Sequence, residues 1–183
     1  PLLYTPRSAR PLRLSRGGRR VGFTGRGGAA GSWAPVYRVW EMSNVAWINH
    51  YGPPETTIGS LTFDVNGGEG VREAAATVPI GEPIPNTRAY VLDERRQRVP
   101  AGVTGELCVG GIGLARGYVG DEVLTGTRFV PDPFAGRIDA RMYRSGALGR
   151  FRAAGRFDYV RRSAHQASIA RYRISLAESK API

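Results

Sequence analysis

Apolar residues in this chain gather in short runs of strand length and settle into no sustained helical period. Residues 45–49 (VAWIN) form one such run, which stops at His50-Tyr51-Gly52-Pro53-Pro54, the pattern of a buried strand ending in a loop. Residues 87–92 (TRAYVL) alternate as a strand does. Residues 93–102 are polar and carry Pro and Gly, which predicts a turn, and residues 105–109 (GELCV) predict the next strand. A glycine-rich connection over 110–117 leads into Tyr118-Val119, and residues 124–129 predict a short helix. Residues 141–143 and 156–160 read as further strands joined by a turn near Ala153-Ala154-Gly155, and residues 66–70 (NGGEG) as a surface loop. Before residue 40 neither period holds, and the run from Ser15 to Ser32 is too rich in Gly and Arg to favour a packed core. Short strands at this spacing predict a small sheet or barrel and not a parallel α/β core. Neither an internal repeat nor a coiled-coil heptad is present.

Composition changes this picture in two places. The 183 residues suit one domain, and no apolar run approaches the roughly 18 residues that a spanning helix needs, so no membrane partner is expected. Cys108 is the single cysteine, so there is no internal disulfide, and only His50 and His165 could join it in a zinc site. The net charge of +11 is uneven: residues 1–40 carry +8, residues 41–134 carry −5 and residues 135–183 carry +8. An acidic centre between two arginine-rich ends is not the stripe of an RNA-binding protein, and phosphate-binding surfaces use both Arg and Lys. Here Lys180 stands alone among 26 cationic residues, a ratio that points to codon bias, so nucleic acid is the weaker expectation.

Two stretches could carry chemistry. In residues 49–57 (NHYGPPETT) an aromatic could cover a nucleobase, hydroxyls could reach phosphate oxygens and a carboxylate could hold Mg²⁺ near them, although a simple strand-to-loop turn explains the same residues. Residues 105–118 (GELCVGGIGLARGY) lack the Gly-Lys-Ser/Thr ending of a phosphate loop, so their glycines more simply let strands turn or backbones approach.

Taken in order, these two stretches, with Val78-Pro79-Ile80-Gly81-Glu82-Pro83-Ile84 between them, then Leu124-Thr125 with Arg128-Phe129 and finally Tyr143-Arg144-Ser145-Gly146, resemble one family. It is the adenylation domain of nonribosomal peptide synthetases, within the adenylate-forming superfamily of acyl-CoA synthetases and luciferase-like enzymes. The resemblance covers about residues 45–175. It implies a mixed α+β, β-rich fold: the end of an α/β subdomain, a small distorted β-barrel subdomain and the start of an α+β C-terminal subdomain. The implied organisation is a basic, poorly ordered leader (1–44), the adenylation-domain fragment with the nucleotide-binding loop (45–160), and a degenerate hinge with the start of the C-terminal subdomain (161–183).

The resemblance also implies amino-acid activation with ATP and Mg²⁺, then transfer to the phosphopantetheine thiol of a peptidyl carrier domain, with condensation domains as further partners and a cytoplasmic location. By position, Tyr51 would stack on adenine beside Gly52, Glu55 would bind Mg²⁺, and Tyr159 and Arg162 would face the nucleotide. His50, Ile58 and Gly59 would line the amino-acid pocket, while Cys108 falls in a strand as a buried, apolar-like residue.

Several positions depart from the family. Pro54 replaces a threonine, removing a hydroxyl and a backbone donor. Ala147 replaces the aspartate that holds the ribose hydroxyls, a loss of roughly 2–4 kcal/mol in nucleotide affinity. Ala164, Ser168 and Arg171 replace a hinge aspartate, a lysine and a glycine. The family's phosphate loop and its C-terminal catalytic lysine are not in these residues. The chain is therefore expected to be inactive alone, with no catalytic residue assigned. A non-catalytic interaction module of a synthetase is the alternative, and a basic RNA-binding protein the weaker one.

Overall fold

The computed structural model describes residues 20–25, 45–65, 77–163, 166–169 and 172–175. A first sheet has the order β1-β2-β3-β4, from strands Arg20–Gly25, Val45–Tyr51, Leu61–Asp64 and Glu82–Pro83. β1 lies parallel to β2, with Arg20 opposite Val45 and Gly25 opposite His50, and the other pairs are antiparallel. β1 falls within the basic stretch before residue 45, where the sequence shows neither period. Its hydrogen-bonding partner lies 25 residues away in register, which no local period discloses.

The second sheet has the order β5-β6-β8-β7, from Thr87–Leu92, Thr104–Gly111, Arg141–Phe151 and Phe129–Pro131. β9 (Phe157–Arg162) pairs with the second half of β8, while β7 pairs with its first three residues, so one edge of β8 serves two neighbours. The helix α1 (Glu122–Arg128) begins where the Asp121 carboxylate accepts from the Leu124 amide at 2.8 Å. A hairpin of β10 (Gln166–Ile169) and β11 (Tyr172–Ser175) follows. The loop at 66–70 and residues Ala164, His165 and Arg171 lie outside the described residues.

Alternation along the second sheet buries both faces. Val91, Leu107, Val109 and Ala147 pack with Phe157, Tyr159, with Tyr51 and Leu61 from the first sheet, and with Ile80 from the connection before β4. Tyr90, Leu92, Cys108, Val130 and Met142 form the opposite core, with Phe134 against it. There the buried Asp132 accepts from Arg88 Nε at 3.0 Å and from the Tyr90 hydroxyl at 3.3 Å. The two sheets are tied where the Ile80 amide donates to the Phe157 carbonyl and the Phe157 amide to the Gly81 carbonyl.

Cys108 is 1% exposed, and burial pushes its thiol well up from the usual range. A disulfide-exchange reagent at pH 8 is therefore expected to label the native protein only at the rate of its unfolding. Immediate stoichiometric labelling would contradict that burial.

Candidate functional site

The residues 52–60 form the link between β2 and β3, and backbone contacts decide its shape. Pro53 and Pro54 open a short 3-10 turn, Pro54–Thr56, in which the Thr57 amide donates to the Pro54 carbonyl at 3.0 Å. Pro54 occupies the first helical position, where an amide would have no partner in the turn, so this departure leaves the local fold intact. Thr57 and Ile58 follow with φ of 59° and 69°, and the Gly59 amide reaches back to the Thr57 carbonyl at 2.8 Å. Two β-branched residues in succession at positive φ are costly, on the order of 1–3 kcal/mol each. The turn persists because it is fastened from outside. Thr57 Oγ1 donates to the Gly113 carbonyl at 2.7 Å, the Ala115 amide donates to the Glu55 carbonyl at 2.8 Å, and the Ser60 amide closes on the Tyr51 carbonyl at 2.8 Å. Gly52 is required by close approach: a Cβ there would lie 2.4 Å from the Ile58 carbonyl oxygen.

The Glu55 carboxylate is the focus of the link. Its Oε1 accepts from the phenols of Tyr118 and Tyr143, each at 2.8 Å, and these two hydroxyls lie 3.3 Å apart. Neither tyrosine is foreseen as a partner from the sequence, where they stand 63 and 88 residues away. The only advance signal is that Tyr118 closes the glycine-rich stretch and Tyr143 opens the Tyr-Arg-Ser-Gly stretch.

On the neighbouring side, Tyr51 is 3% exposed and its ring centroid lies 6.1 Å from that of Tyr159. Burial pushes its phenol up to about 12, against a hydrogen bond with Ser145 that pulls it down. Tyr159 is also buried, and its phenol is raised for the same reason. A nucleobase could stack on Tyr51 only if the ring were uncovered. Arg162 stands directly across from Ala147 in the β8–β9 pairing, so the departed ribose position and the expected nucleotide arginine are neighbours.

The Tyr143-Arg144-Ser145-Gly146 stretch works as a set of anchors. Between Glu106 and Cys108 of β6, β8 carries two extra residues, a bulge with Gly146 at φ 67°. Arg144 donates twice to Glu106, the Gly146 amide donates to the same carboxylate, and Ser145 Oγ donates to the Leu107 carbonyl at 2.6 Å. The bulge explains why the strand pattern breaks off after Tyr143, although β8 continues to Phe151.

Of the expected amino-acid pocket, His50 and Gly59 come together. A Cβ on Gly59 would lie 3.2 Å from His50 Nδ1, and partial burial lowers the His50 imidazole below its usual range. Ile58 is largely exposed on the strained turn. Five arginines of the basic C-terminal part have partners among the described residues. Arg137, Arg144, Arg152 and Arg156 face acids, and Arg141 donates to the carbonyls of Arg116 and Ala115. No helix among the described residues is long and apolar enough to cross a membrane.

A family model described as AMP-binding enzyme matches residues 6–119. The chain belongs to the AMP-binding enzyme family. The match begins well inside the arginine-rich leader, so that segment too carries the family pattern. Bacitracin synthase 3 of Bacillus licheniformis is 44% identical over 135 residues, 74% of this chain and 2% of that protein. A dimodular nonribosomal peptide synthase of Bacillus subtilis (strain 168) is 46% identical over 136 residues, 74% of this chain and 6% of that protein. Among solved structures, PA1221, a nonribosomal peptide synthetase protein containing adenylation and PCP domains, superposes with a TM-score of 0.76 at 31% identity. That superposition covers 90% of this chain and 32% of PA1221. This AMP-binding chain thus spans a small part of the length of its relatives and covers part of an adenylation domain, with the β-rich α+β fold expected of that part.

Proposed function

We propose that this AMP-binding chain supplies the nucleotide-facing β-rich part of an amino-acid-adenylating domain in nonribosomal peptide synthesis. The observation that carries the reading is the convergence of three distant segments at the Tyr51–Glu55 turn. Residues 113–118 fasten its backbone, Tyr143 reaches its carboxylate, and Tyr51 meets Ser145 and Tyr159 beside Ala147 and Arg162.

In this reading the nucleotide lies against Tyr51, Gly52, Tyr159 and Arg162, and the amino acid lies toward His50, Ile58 and Gly59. A base would reach the Tyr51 ring only once that ring is uncovered, and the Arg162 guanidinium would offset phosphate charge. Glu55 would hold Mg²⁺. Among the described residues no group of three or more acidic, His or Cys side chains could cage a metal, and a single carboxylate suits an ion brought by the nucleotide's phosphates. Bound there, Mg²⁺ would neutralise phosphate charge as the substrate carboxylate attacks. A carrier domain bearing phosphopantetheine, a condensation domain and a cytoplasmic location complete the proposal. Ala147 places a methyl group where a ribose acceptor would stand, and Pro54 supplies no hydroxyl. The chain alone is therefore proposed to bind nucleotide weakly and not to turn over.

Titration with ATP in the presence of Mn²⁺ tests the binding. Glu55→Gln is expected to weaken metal-dependent ATP binding about 10- to 100-fold, the worth of a charged ligand. ATP affinity that is indifferent to both the metal and Glu55 would sink the site. Amino-acid-dependent pyrophosphate exchange by the isolated chain would overturn its assignment as inactive.

A further inference from the structure

The glycine-rich stretch after β6 lacks the ending of a phosphate loop, and its backbone instead runs against the turn at Thr57-Ile58. Gly113 is the point of contact. Its carbonyl accepts from Thr57 Oγ1 at 2.7 Å, and a Cβ on Gly113 would lie 3.2 Å from the Thr56 carbonyl oxygen. Two residues on, the Ala115 amide donates to the Glu55 carbonyl at 2.8 Å. The stretch is anchored from the other sheet. There the Ile112 amide donates to the Asn86 carbonyl, and Arg141 of β8 donates to the carbonyls of Ala115 and Arg116. The second sheet thus supplies a braced backbone against which the turn of the first sheet is held.

Within the turn the balance is close. Thr57 and Ile58 stand at φ 59° and 69°, a region that β-branched side chains avoid. The turn's own bonds there run from the Gly59 amide to the Thr57 carbonyl at 2.8 Å and from the Ile58 amide to the Pro53 carbonyl at 3.2 Å. The net worth of one hydrogen bond is of the same order as the strain of one such residue, so the external bond from Thr57 decides whether the pair keeps its conformation. Thr57 is exposed, so water competes for its hydroxyl and the bond can open without unfolding either sheet. Ile58, 44% exposed, is the side chain that the turn presents.

We infer that the Thr57–Gly113 hydrogen bond is a latch that holds Ile58 at positive φ and so fixes where Ile58 stands in the amino-acid pocket, making Thr57 a positioning residue for substrate selection. The inference rests on the proposed placing of the amino acid toward His50, Ile58 and Gly59. With the latch open, the pair relaxes to negative φ and the Ile58 side chain leaves its present position. The glycine-rich stretch then has a stated use: Gly113 lets the carbonyl that closes the latch come up against the turn.

The test compares the full native chain with Thr57→Val and Thr57→Ser, using scalar couplings that report the sign of φ at Ile58 and amide hydrogen exchange. Thr57→Val keeps the branched shape and loses the donor. Ile58 is then expected to leave positive φ, and the Ile58 and Gly59 amides to exchange about 3- to 10-fold faster, the factor of one net hydrogen bond. Thr57→Ser keeps the hydroxyl and is expected to match the native protein in both readouts. Amides of β5 and β6 are expected to keep their native rates. Faster exchange shared by those strands, with a lowered unfolding midpoint, would reduce Thr57 to a general stabiliser and overturn the inference. Native φ and native exchange at Ile58 in Thr57→Val would overturn it as well. The substrate side is read from the Ile58 methyl resonances during titration with the proteinogenic amino acids, one at a time. An amino acid that moves them in the native protein is expected to bind Thr57→Ser equally and Thr57→Val about 3- to 10-fold more weakly. Equal affinity in Thr57→Val despite a relaxed turn would refute the positioning role. If no amino acid moves those resonances, the pocket reading falls and the positioning role with it, while couplings and exchange still decide whether the latch exists.

Discussion

Gly81→Ala is expected to cost the protein about 3–5 kcal/mol of stability, enough to unfold many single domains of this size. Gly81 sits at φ 85°, where an L side chain already loses roughly 1–2 kcal/mol. A Cβ there would also lie 1.8 Å from the Thr62 carbonyl oxygen and 2.7 Å from the Phe63 Cα. Those atoms belong to β3, so relief requires moving a strand, not a flexible side chain. The same residue bridges to Phe157, and its displacement would loosen the junction between the two sheets and the core that Ile80 and Phe157 share. Gly102→Ala is the matched control. Its φ is 86°, but nothing lies within 4 Å of the Cβ it would gain, so it should lose only the conformational part, about 1–2 kcal/mol. Urea unfolding midpoints of the two variants separate strain from clash. Equal losses would show that close approach is not what position 81 demands.

Stability is also expected to fall steeply in alkali, by up to about 2.7 kcal/mol from one residue as pH rises from 10 to 12. The Tyr51 phenol titrates near 10 in an unfolded chain and is pushed up to about 12 in the folded one, chiefly by burial. Between those values the unfolded state gives up a proton that the folded state keeps. The unfolded state then binds fewer protons, and the slope of stability with pH is negative. Below pH 10 both states are protonated and the term vanishes. Tyr90 and Tyr159 are raised in the same direction and add to the slope. Tyr51→Phe should lose about 1 kcal/mol at neutral pH, the worth of the hydrogen bond with Ser145, and show a shallower alkaline decline. Parallel curves for the two proteins between pH 10 and 12, followed by urea unfolding, would refute the burial of that phenol.

These two predictions bear on the same boundary, the seam where β2, β3 and the residues before β4 meet β8 and β9. The strand patterns on either side of that seam are legible locally. The alternation over residues 87–92 marks β5 to the residue, because both of its faces are buried and every apolar position there has a partner. The helix over residues 122–128 begins two residues before its expected start, since its first turn is set by the Asp121 cap and buries nothing.

Elsewhere local pattern misleads. β8 reads as ending at Tyr143, because Ser145 and Gly146 look like a break and are instead a bulge held by Glu106 and Leu107 from the neighbouring strand. β1 is silent in the sequence, because its order comes from pairing with β2 and not from its own residues. The candidate site divides in the same way. Glu55, Tyr51 and His50 stand in one contiguous stretch and could be named from it, whereas Tyr118 and Tyr143 reach Glu55 only through the fold.

The sequence by itself determined the family and the β-rich class, because these depend on residue types at short spacing. It also showed the charge to be divided among segments, before any arginine could be placed. Only the tertiary structure decided which oxygen of Glu55 is held, why a strained Thr57-Ile58 turn survives, and that five C-terminal arginines face acids or carbonyls. The physical reason is range. Propensity and periodicity act over a few residues, while hydrogen bonds across 63 or 88 residues exist only once the strands have set their register.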